Sequence, residues 1–435
     1  MRISRPIIAV ALVTVLAACG GAGETSTGAG KSADSATGVT DTEVLIGTHQ
    51  PLTGPAAPGY SKISVGARAV YDHINDNGGI NGRKIVYKVE DDGYNPTRTV
   101  EVVKKLVLQD KVFAIVGGLG TPTHSKVVEY LNTEGVPDLL VSSGALMWDN
   151  PGKSPKMFGY QVDYTREGKI QGQYIKDNLT GRKVGLLVQN DDVGTDTQRG
   201  LDQFISDQIV SRQTYDSANT DITPQISALQ AAGAEVLVCE CIPAFTALTV
   251  LTSVKIGYKP QIVVSSIGSD PATLTGLVEQ FAKQGGSSVS GGALLTGIIG
   301  TRYLPSVRQA DDPWTKFFQQ IHDERIPNEP FTDTMLYGMV QAYTFGQALK
   351  AAGRDLTRQK LIDAMSSGEL KGPGLTPFAF SAATHSGYTG ALVFQIAADG
   401  SVKTLQEART TDRETGAVTP FTGARPGPDE VKLVG

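Results

Sequence analysis

Short runs rich in β-branched residues alternate along most of this chain with longer amphipathic segments, and this alternation restricts the fold more than any other feature. Runs with the composition of buried strands lie at 44–47, 84–90, 114–117 and 138–142. The segments between them, such as 64–77 and 96–109, carry apolar residues at helical spacing. Because parallel strands need such crossover connections, the pattern predicts mainly parallel sheets covered by helices.

A second series of the same kind follows, with predicted strands at 184–189, 236–239 and 261–265. Further strands are predicted at 293–299, 378–380 and 391–396, with helices at 122–132, 313–324 and 331–352. Two α/β sheets in one chain predict a ligand site at the carboxyl ends of the strands, in the cleft between the sheets.

The composition is typical of a globular protein that does not bind nucleic acid. The 435 residues are 40% hydrophobic and 19% charged, with a formal net charge of -5. No cluster of Lys and Arg offers the basic face that nucleic acid requires. The chain is too long for one ordinary core, which predicts two lobes of normal domain size.

The first forty residues have the pattern of a bacterial lipoprotein leader. Two arginines precede an apolar run at 7–18 that is too short to span a bilayer, as expected of a signal peptide. Cys19 follows two small residues and resembles the lipobox cysteine at which lipoproteins are cleaved and diacylated. Gly, Ala, Ser and Thr dominate 20–40, which indicates a flexible linker. We therefore expect a signal peptide at 1–18 and a lipid-anchored Cys19 with its linker at 19–42; the alternative is an ordinary secretory signal with a chance cysteine.

Several strings in the amino-terminal third carry a family resemblance. In chain order they are Pro51-Leu52-Thr53-Gly54-Pro55, Gly66-Ala67-Arg68, Ile74-Asn75-Asp76-Asn77-Gly78-Gly79-Ile80-Asn81-Gly82 and Asp91-Asp92-Gly93-Tyr94-Asn95-Pro96. With them the chain resembles, from about 43 to 399, the type I periplasmic binding proteins, as used by the branched-chain amino-acid (Leu/Ile/Val) binding proteins of ABC importers.

The resemblance implies an α/β fold of two Rossmann-like lobes with mainly parallel sheets, a three-segment hinge and a ligand in the cleft between the lobes. It implies lobe one at 43–161 and 300–390, and lobe two at 162–299 and 391–435. Three crossings between rigid lobes allow hinge closure around a ligand.

The best local candidate for a ligand-binding loop is Gly117-Gly118-Leu119-Gly120-Thr121-Pro122. Thr121 can cap a helix that begins at Pro122, so free N–H groups and the positive helix end would favour an anion or a carbonyl oxygen. The alternatives are glycines that only make a sharp turn, and a dinucleotide loop, which would need a further glycine at the proper offset. In the resembled family a Ser or Thr at the position of Thr121 contacts the ligand carboxylate. The companion loop there corresponds to Ser142, Ser143, Gly144 and Ala145.

Lobe two departs from the amino-acid-binding pattern. Positions that are usually polar or aromatic ligand contacts in the resembled family are aliphatic here, at Leu146, Val193, Ile242 and Ile267. An apolar wall that faces a donor-rich loop suits a small organic acid, amide or aromatic carboxylate better than a zwitterion.

Ile267 stands where the resembled family commonly has the carboxylate that pairs with the ligand ammonium. Burial of an ammonium group without a charged partner costs several kcal/mol of binding free energy, so an amino-acid ligand needs another acid. Glu240, Asp191 and Asp192 are the candidates for that acid. Tyr60 is the candidate to pack over the ligand side chain; the alternative for Tyr60 is a partly exposed loop tyrosine.

Beyond Cys19 the sequence contains only Cys239 and Cys241, and we expect both as buried free thiols. Residues two apart in a strand lie close to the upper limit of Cα separation for a disulfide. The five histidines show no metal-ligand spacing, and no nucleophile elbow or phosphate loop occurs. We therefore predict no metal, no cofactor and no catalytic activity.

The sequence thus predicts a monomeric, extracytoplasmic, lipid-anchored solute-binding subunit of an ABC importer, which would work with a membrane permease and cytoplasmic ATPases. The predicted ligand is a small carboxylate- or carbonyl-bearing solute, with leucine-type amino acids as the alternative. Two other functions stay open, a ligand sensor for a membrane kinase on the same fold and an envelope enzyme with an α/β core.

Overall fold

The computed structural model describes residues 37–434. The predicted signal peptide, Cys19 and the linker up to residue 36 lie outside the described residues. The body begins near Gly38, whose carbonyl accepts a hydrogen bond from the Leu45 N–H at 2.7 Å. Between residues 37 and 434, no helix is both long enough and apolar enough to cross a membrane.

The strands are β1 (Glu43–Gln50), β2 (Lys84–Asp91), β3 (Ala114–Val116), β4 (Asp138–Val141), β5 (Met157–Gly159), β6 (Val184–Gln189), β7 (Ile209–Tyr215), β8 (Val236–Glu240), β9 (Gln261–Val264), β10 (Ile299–Arg302), β11 (Gly390–Ile396), β12 (Val402–Thr410) and β13 (Thr419–Pro420). The helices are α1 (Ala57–Tyr60), α2 (Ile63–Asp76), α3 (Pro96–Leu108), α4 (Thr121–His124), α5 (Val128–Thr133), α6 (Tyr164–Asn178), α7 (Asp192–Ile205), α8 (Thr223–Ala231), α9 (Pro243–Lys255), α10 (Pro271–Gln284), α11 (Gly291–Leu295), α12 (Pro313–Arg325), α13 (Asp333–Ala352) and α14 (Arg358–Ser366).

The first sheet has the order β2-β1-β3-β4-β5, and all its neighbouring strands are parallel. β1 and β2 pair from Glu43 opposite Lys84 to Gln50 opposite Asp91. The carboxyl ends of these strands therefore meet at one edge, as predicted for a parallel α/β sheet.

The second sheet has the order β13-β12-β11-β10-β9-β8-β6-β7. It is parallel from β7 across to β10, and β11, β12 and β13 extend it with antiparallel pairings. The long helix α13 lies between β10 and β11 in sequence, yet it packs against α2 beside the first sheet, where Met335 and Met339 share a core with Ala67 and Val70. The chain therefore passes between the two sheets three times, after β5, after β10 and before β11.

The predicted α/β class with mainly parallel sheets is confirmed, but three predicted elements are wrong. The segment predicted as a strand at 293–299 forms α11, which buries Leu295; the chain then turns at Gly297, with φ +87°, and β10 begins at Ile299. The helix predicted at 122–132 is broken into α4 and α5. The segment 378–380 forms only an isolated bridge between Phe378 and Tyr388.

Four polar side chains form a buried chain of hydrogen bonds under the carboxyl edge of the first sheet. His49 Nδ1 lies 2.7 Å from Asp92, His49 Nε2 lies 2.8 Å from His124 Nδ1, and His124 Nε2 lies 2.8 Å from Asp138. All four residues are almost completely buried, so hydrogen bonds must compensate for lost solvation. Asp92 accepts two more, from the Tyr94 N–H and from Thr99 Oγ1, each at 2.9 Å. A Cβ at Gly118 would lie 2.5 Å from His124 Nδ1, so this position has room for glycine alone.

Candidate functional site

A cavity of about 110 Å³ lies where loops from the carboxyl ends of both sheets meet. An apolar cavity of roughly 150 Å³ can hold a benzene ring, so this volume suits a compact ligand. Predicted site residues that line the cavity are Tyr60, Gly120, Thr121, Ser142, Val193, Ile242 and Ile267. The parallel strands bring together residues that are more than two hundred positions apart in sequence.

The other predicted site residues lie elsewhere. Ser143, Gly144, Ala145 and Leu146 line a separate cavity of about 10 Å³, together with the buried Trp148. That volume is close to the minimum for one water molecule. Ser143 nevertheless supports the main cavity, because it hydrogen-bonds a residue of its wall.

The Thr121 hydroxyl contacts two other hydroxyl groups and does not cap a helix. Its Oγ1 lies 2.6 Å from Ser143 Oγ and 3.3 Å from Tyr164 Oη. The expected capping role of Thr121 is wrong, because α4 begins at Thr121 itself, and its N-cap, Gly120, has no capping side chain. Since α4 has only four residues, the helix dipole adds little here. The side of the cavity near Thr121 therefore offers neutral hydroxyls and backbone groups.

The glycine loop is held in place by buried amides. Gln50 Nε2 donates to the Gly117 carbonyl at 2.7 Å, and Gln341 Nε2 donates to Ser142 Oγ at 2.9 Å. Gly120 has φ +104°, and a Cβ there would lie 2.6 Å from the Tyr94 ring. The loop therefore keeps its backbone close to the cavity in one conformation.

Hydrogen bonds join the two sides of the cavity. Tyr60 Oη donates to the Ile267 carbonyl at 2.6 Å, and Gln189 Nε2 donates to Tyr94 Oη at 3.4 Å. Beside the cavity, the Leu146 N–H donates to Asp196 at 2.8 Å. Each bond links a segment that follows a strand of the first sheet with a residue at or beyond the end of a strand of the second sheet, so hydrogen bonds bridge the cavity from both sides.

The acids expected to pair with a ligand ammonium do not line the cavity. Asp191 caps α7 by accepting from the Val193 N–H, and Asp192 lies in the first turn of that helix. Glu240 is buried at the end of β8, and burial next to Glu167 raises the pKa of Glu240 to about 8. Glu240 is therefore mostly uncharged at neutral pH.

Two other acids lie in the cavity wall, and sequence reasoning missed both. Asp270 accepts from Thr273 Oγ1 at 2.7 Å and from Thr334 Oγ1 at 3.2 Å. Asp333 accepts from Ser306 Oγ at 2.9 Å and from the Val307 N–H at 2.7 Å. Burial, together with the nearby Asp270, raises the pKa of Asp333 to about 6. Asp270 is the N-cap of α10, and Asp333 is the first residue of α13. Both places are common for Asp and give no signal of a ligand site.

Arg302 also lines the cavity and was missed. It is the last residue of β10, and its guanidinium carbon lies 5.3 Å from the centroid of the Phe394 ring. Burial lowers the pKa of Arg302. In the sequence, Arg302 is a single arginine after a mostly apolar run, which could have indicated a functional residue. The strand was predicted too early, at 293–299, so Arg302 was not recognised as the end of a strand.

Cys239 and Cys241 form a disulfide, so the expectation of free thiols is wrong. β8 ends at Glu240, and the turn that follows brings the two Cα atoms to 5.2 Å, closer than a continuous strand allows. The bond lies just before Ile242 of the cavity wall. Within residues 37–434, no group of three or more His, Cys, Asp or Glu side chains could hold a metal ion.

Comparisons with known proteins agree with this architecture. A family model described as periplasmic binding protein matches residues 43–401. The Leu/Ile/Val-binding protein homolog 1 of Brucella abortus is 25% identical over 338 residues, which cover 76% of this chain and 83% of that protein. An amino acid binding protein of Pseudomonas aeruginosa is 28% identical over 198 residues, 45% of this chain and 53% of that protein.

Solved structures show the same fold. A fatty acid ABC transporter substrate-binding protein from Thermomonospora curvata superposes with a TM-score of 0.74 at 21% identity, covering 88% of this chain and 97% of that chain. A branched-chain amino acid ABC transporter protein from Thermus thermophilus with bound valine superposes with a TM-score of 0.73 at 17% identity, covering 86% and 98%.

Replacing Glu240 by Gln should flatten the pH dependence of stability. The pKa of Glu240 is about 8 in the folded protein, above the unfolded value of about 4.3, so its protonated form stabilises the fold. The free energy of unfolding should then fall as the pH rises between these values, and it should fall less in Glu240→Gln. Urea unfolding at several pH values measures this, with the exposed Glu101→Gln as control. Identical pH profiles for the parent and Glu240→Gln would contradict the prediction.

Proposed function

Because this chain belongs to the periplasmic binding protein family, we propose that it is the solute-binding subunit of an ABC importer and captures a small carboxylate- or carbonyl-bearing solute. The observation that carries the proposal is the cavity that loops of both sheets close together. The structural similarity to substrate-binding proteins of ABC transporters supports the same function.

In the proposed mechanism the ligand first docks on the first-sheet side, at Thr121, Ser142 and nearby backbone N–H groups. The second sheet then closes over it. A ligand can drive closure only through contacts that it gains in the closed form. The Tyr60–Ile267 hydrogen bond crosses the cavity and is proposed to hold the two sides together once they have closed. The three chain segments between the sheets are the proposed hinge, with the predicted lobes of 43–161 plus 300–390 and 162–299 plus 391–435.

The wall formed by Val193, Ile242 and Ile267 favours a ligand with an apolar body. Leucine-type amino acids are the alternative ligand class. Two observations favour them, namely the names of the relatives and the presence of Asp270 and Asp333 where an ammonium could be compensated.

The proposed partners are a membrane permease with its cytoplasmic ATPases. Family membership implies an extracytoplasmic location. We propose that Cys19 is lipidated and holds the protein at the outer face of the cell membrane, as the lipobox sequence indicates.

A ligand screen tests the proposed class. A compound that binds only the folded protein raises its stability by RT ln(1 + [L]/Kd), about 2.7 kcal/mol at one hundred times Kd. We expect small carboxylates or carbonyl compounds with an apolar body to raise the thermal midpoint in a concentration-dependent way. Selective stabilisation by leucine, isoleucine or valine would favour the alternative class, and turnover of a bound compound would contradict the binding-protein function.

Thr121→Val should weaken ligand binding by about 1–3 kcal/mol, because it strands hydrogen-bonding groups in a buried site. Isothermal titration calorimetry with a compound from the screen measures the change. Ser125→Ala, at the end of the same short helix and outside the cavity, is the control. An unchanged affinity in Thr121→Val would remove Thr121 from the site.

Cys19→Ala should abolish lipid attachment and move the protein from the membrane fraction to the soluble extracytoplasmic fraction. Metabolic labelling with a fatty acid, followed by fractionation, measures both effects. Ser26→Ala, in the predicted linker, keeps Cys19 and should still be labelled, which makes it the control. Label retained on Cys19→Ala would refute the proposed anchor.

A further inference from the structure

Arg302 is a buried cation with a relative exposure of 8%. Among residues 37–434, none provides a hydrogen-bond partner for its buried Nε and Nη1. In the part of the chain that the structure describes, no carboxylate oxygen lies within 4.0 Å of its guanidinium nitrogens. Burial of a charge is strongly unfavourable unless a group of opposite charge pairs with it.

The acids whose charges act on Arg302 are Asp333, Asp312 and Glu407. Asp333 already accepts one hydroxyl and one backbone N–H hydrogen bond, and Asp312 pairs with Arg425. All three acids lower the local potential, but among the described residues none of them gives the guanidinium a hydrogen-bonded oxygen.

The surroundings hold the guanidinium in a geometry suited to one kind of ligand group. The ring of Phe394 lies against it, with 5.3 Å from the guanidinium carbon to the ring centroid. An arginine fork matches the two oxygens of a carboxylate, and such paired bonds are stronger than neutral hydrogen bonds. An amide or an alcohol would satisfy a donor and leave the charge uncompensated.

The groups on the first-sheet side of the cavity that could bind a ligand are uncharged. Thr121, Ser143 and Tyr164 form a cluster of neutral hydroxyls, and burial raises the pKa of Tyr164 to about 12. Among the described residues that line the cavity, Arg302 is the only cation. The single positive charge available to a ligand therefore comes from the second sheet, at the end of β10.

We propose that Arg302 binds the ligand carboxylate and makes the cavity select carboxylates over the corresponding amides. The hydroxyl cluster around Thr121 then hydrogen-bonds an uncharged polar group of the same ligand. This inference rests on the proposed solute-binding function and specifies the chemistry of the same site.

Matched acid and amide pairs test the inference on the purified full chain. The probes are isovalerate, hexanoate, phenylacetate and leucine, each beside its primary amide, in thermal-shift and calorimetric titrations. We expect at least one acid to bind the parent about 10–100-fold more tightly than its amide, the range for a charge-assisted hydrogen bond. In Arg302→Gln that ratio should fall close to one, while the exposed Arg308→Gln should keep it.

Arg302→Lys separates the role of charge from that of fork geometry, and it provides a second variant if Arg302→Gln does not fold. It should keep a preference for acids but reduce the ratio, because Lys offers a point charge instead of paired donors. Equal binding of an acid and its amide by the parent, an unchanged ratio in both Arg302 variants, or stabilisation by amides alone would overturn the inference. Each of these results leaves the solute-binding function intact. Failure of every acid and every amide to bind would overturn the inference too, and a broader solute screen would then decide the proposed function separately.

Discussion

The buried chain from Asp92 through His49 and His124 to Asp138 is the constraint on which the first-sheet side of the cavity depends. Four groups share three hydrogen bonds away from solvent, so none of them can move without leaving a buried polar group unpaired. These hydrogen bonds connect β1, β4 and α4 with the turn after β2. Because Gly118 lies directly against both imidazoles, these side chains also restrict the movement of the glycine loop.

The second-sheet side is organised by a different buried group. Glu167 of α6 accepts from the Ser266 N–H at 2.8 Å and from Thr301 Oγ1, so it fixes the loop after β9 and the strand that ends in Arg302. The cavity therefore lies between two internally bonded polar networks, one under each sheet edge. The proposed hinge motion requires that each network stay intact while the two move apart, because closure of this kind moves rigid bodies.

The parallel series and the glycine loop were predictable because periodicity and turn residues are local properties of the sequence. Tyr60 and Ile267 were singled out through the family resemblance, and Thr121 through the glycine loop as well; all three line the cavity. Arg302, Asp270 and Asp333 come from three separate segments, and only the folded chain brings them to one wall. The Cys239–Cys241 disulfide escaped prediction because it depends on where β8 ends, and element boundaries are the least certain result of periodicity.

Closure across the cavity relies partly on main-chain atoms, since Tyr60 binds the carbonyl of Ile267 and Asp196 binds the N–H of Leu146. A main-chain carbonyl is present in every residue, and a main-chain N–H in every residue except proline. Position 267 can therefore change identity, and position 146 can change to any residue but proline, without loss of these hydrogen bonds. If the sheets close as proposed, the groups that hold them together differ from the side chains that contact the ligand, so the ligand could change in a lineage of such proteins while the motion is kept.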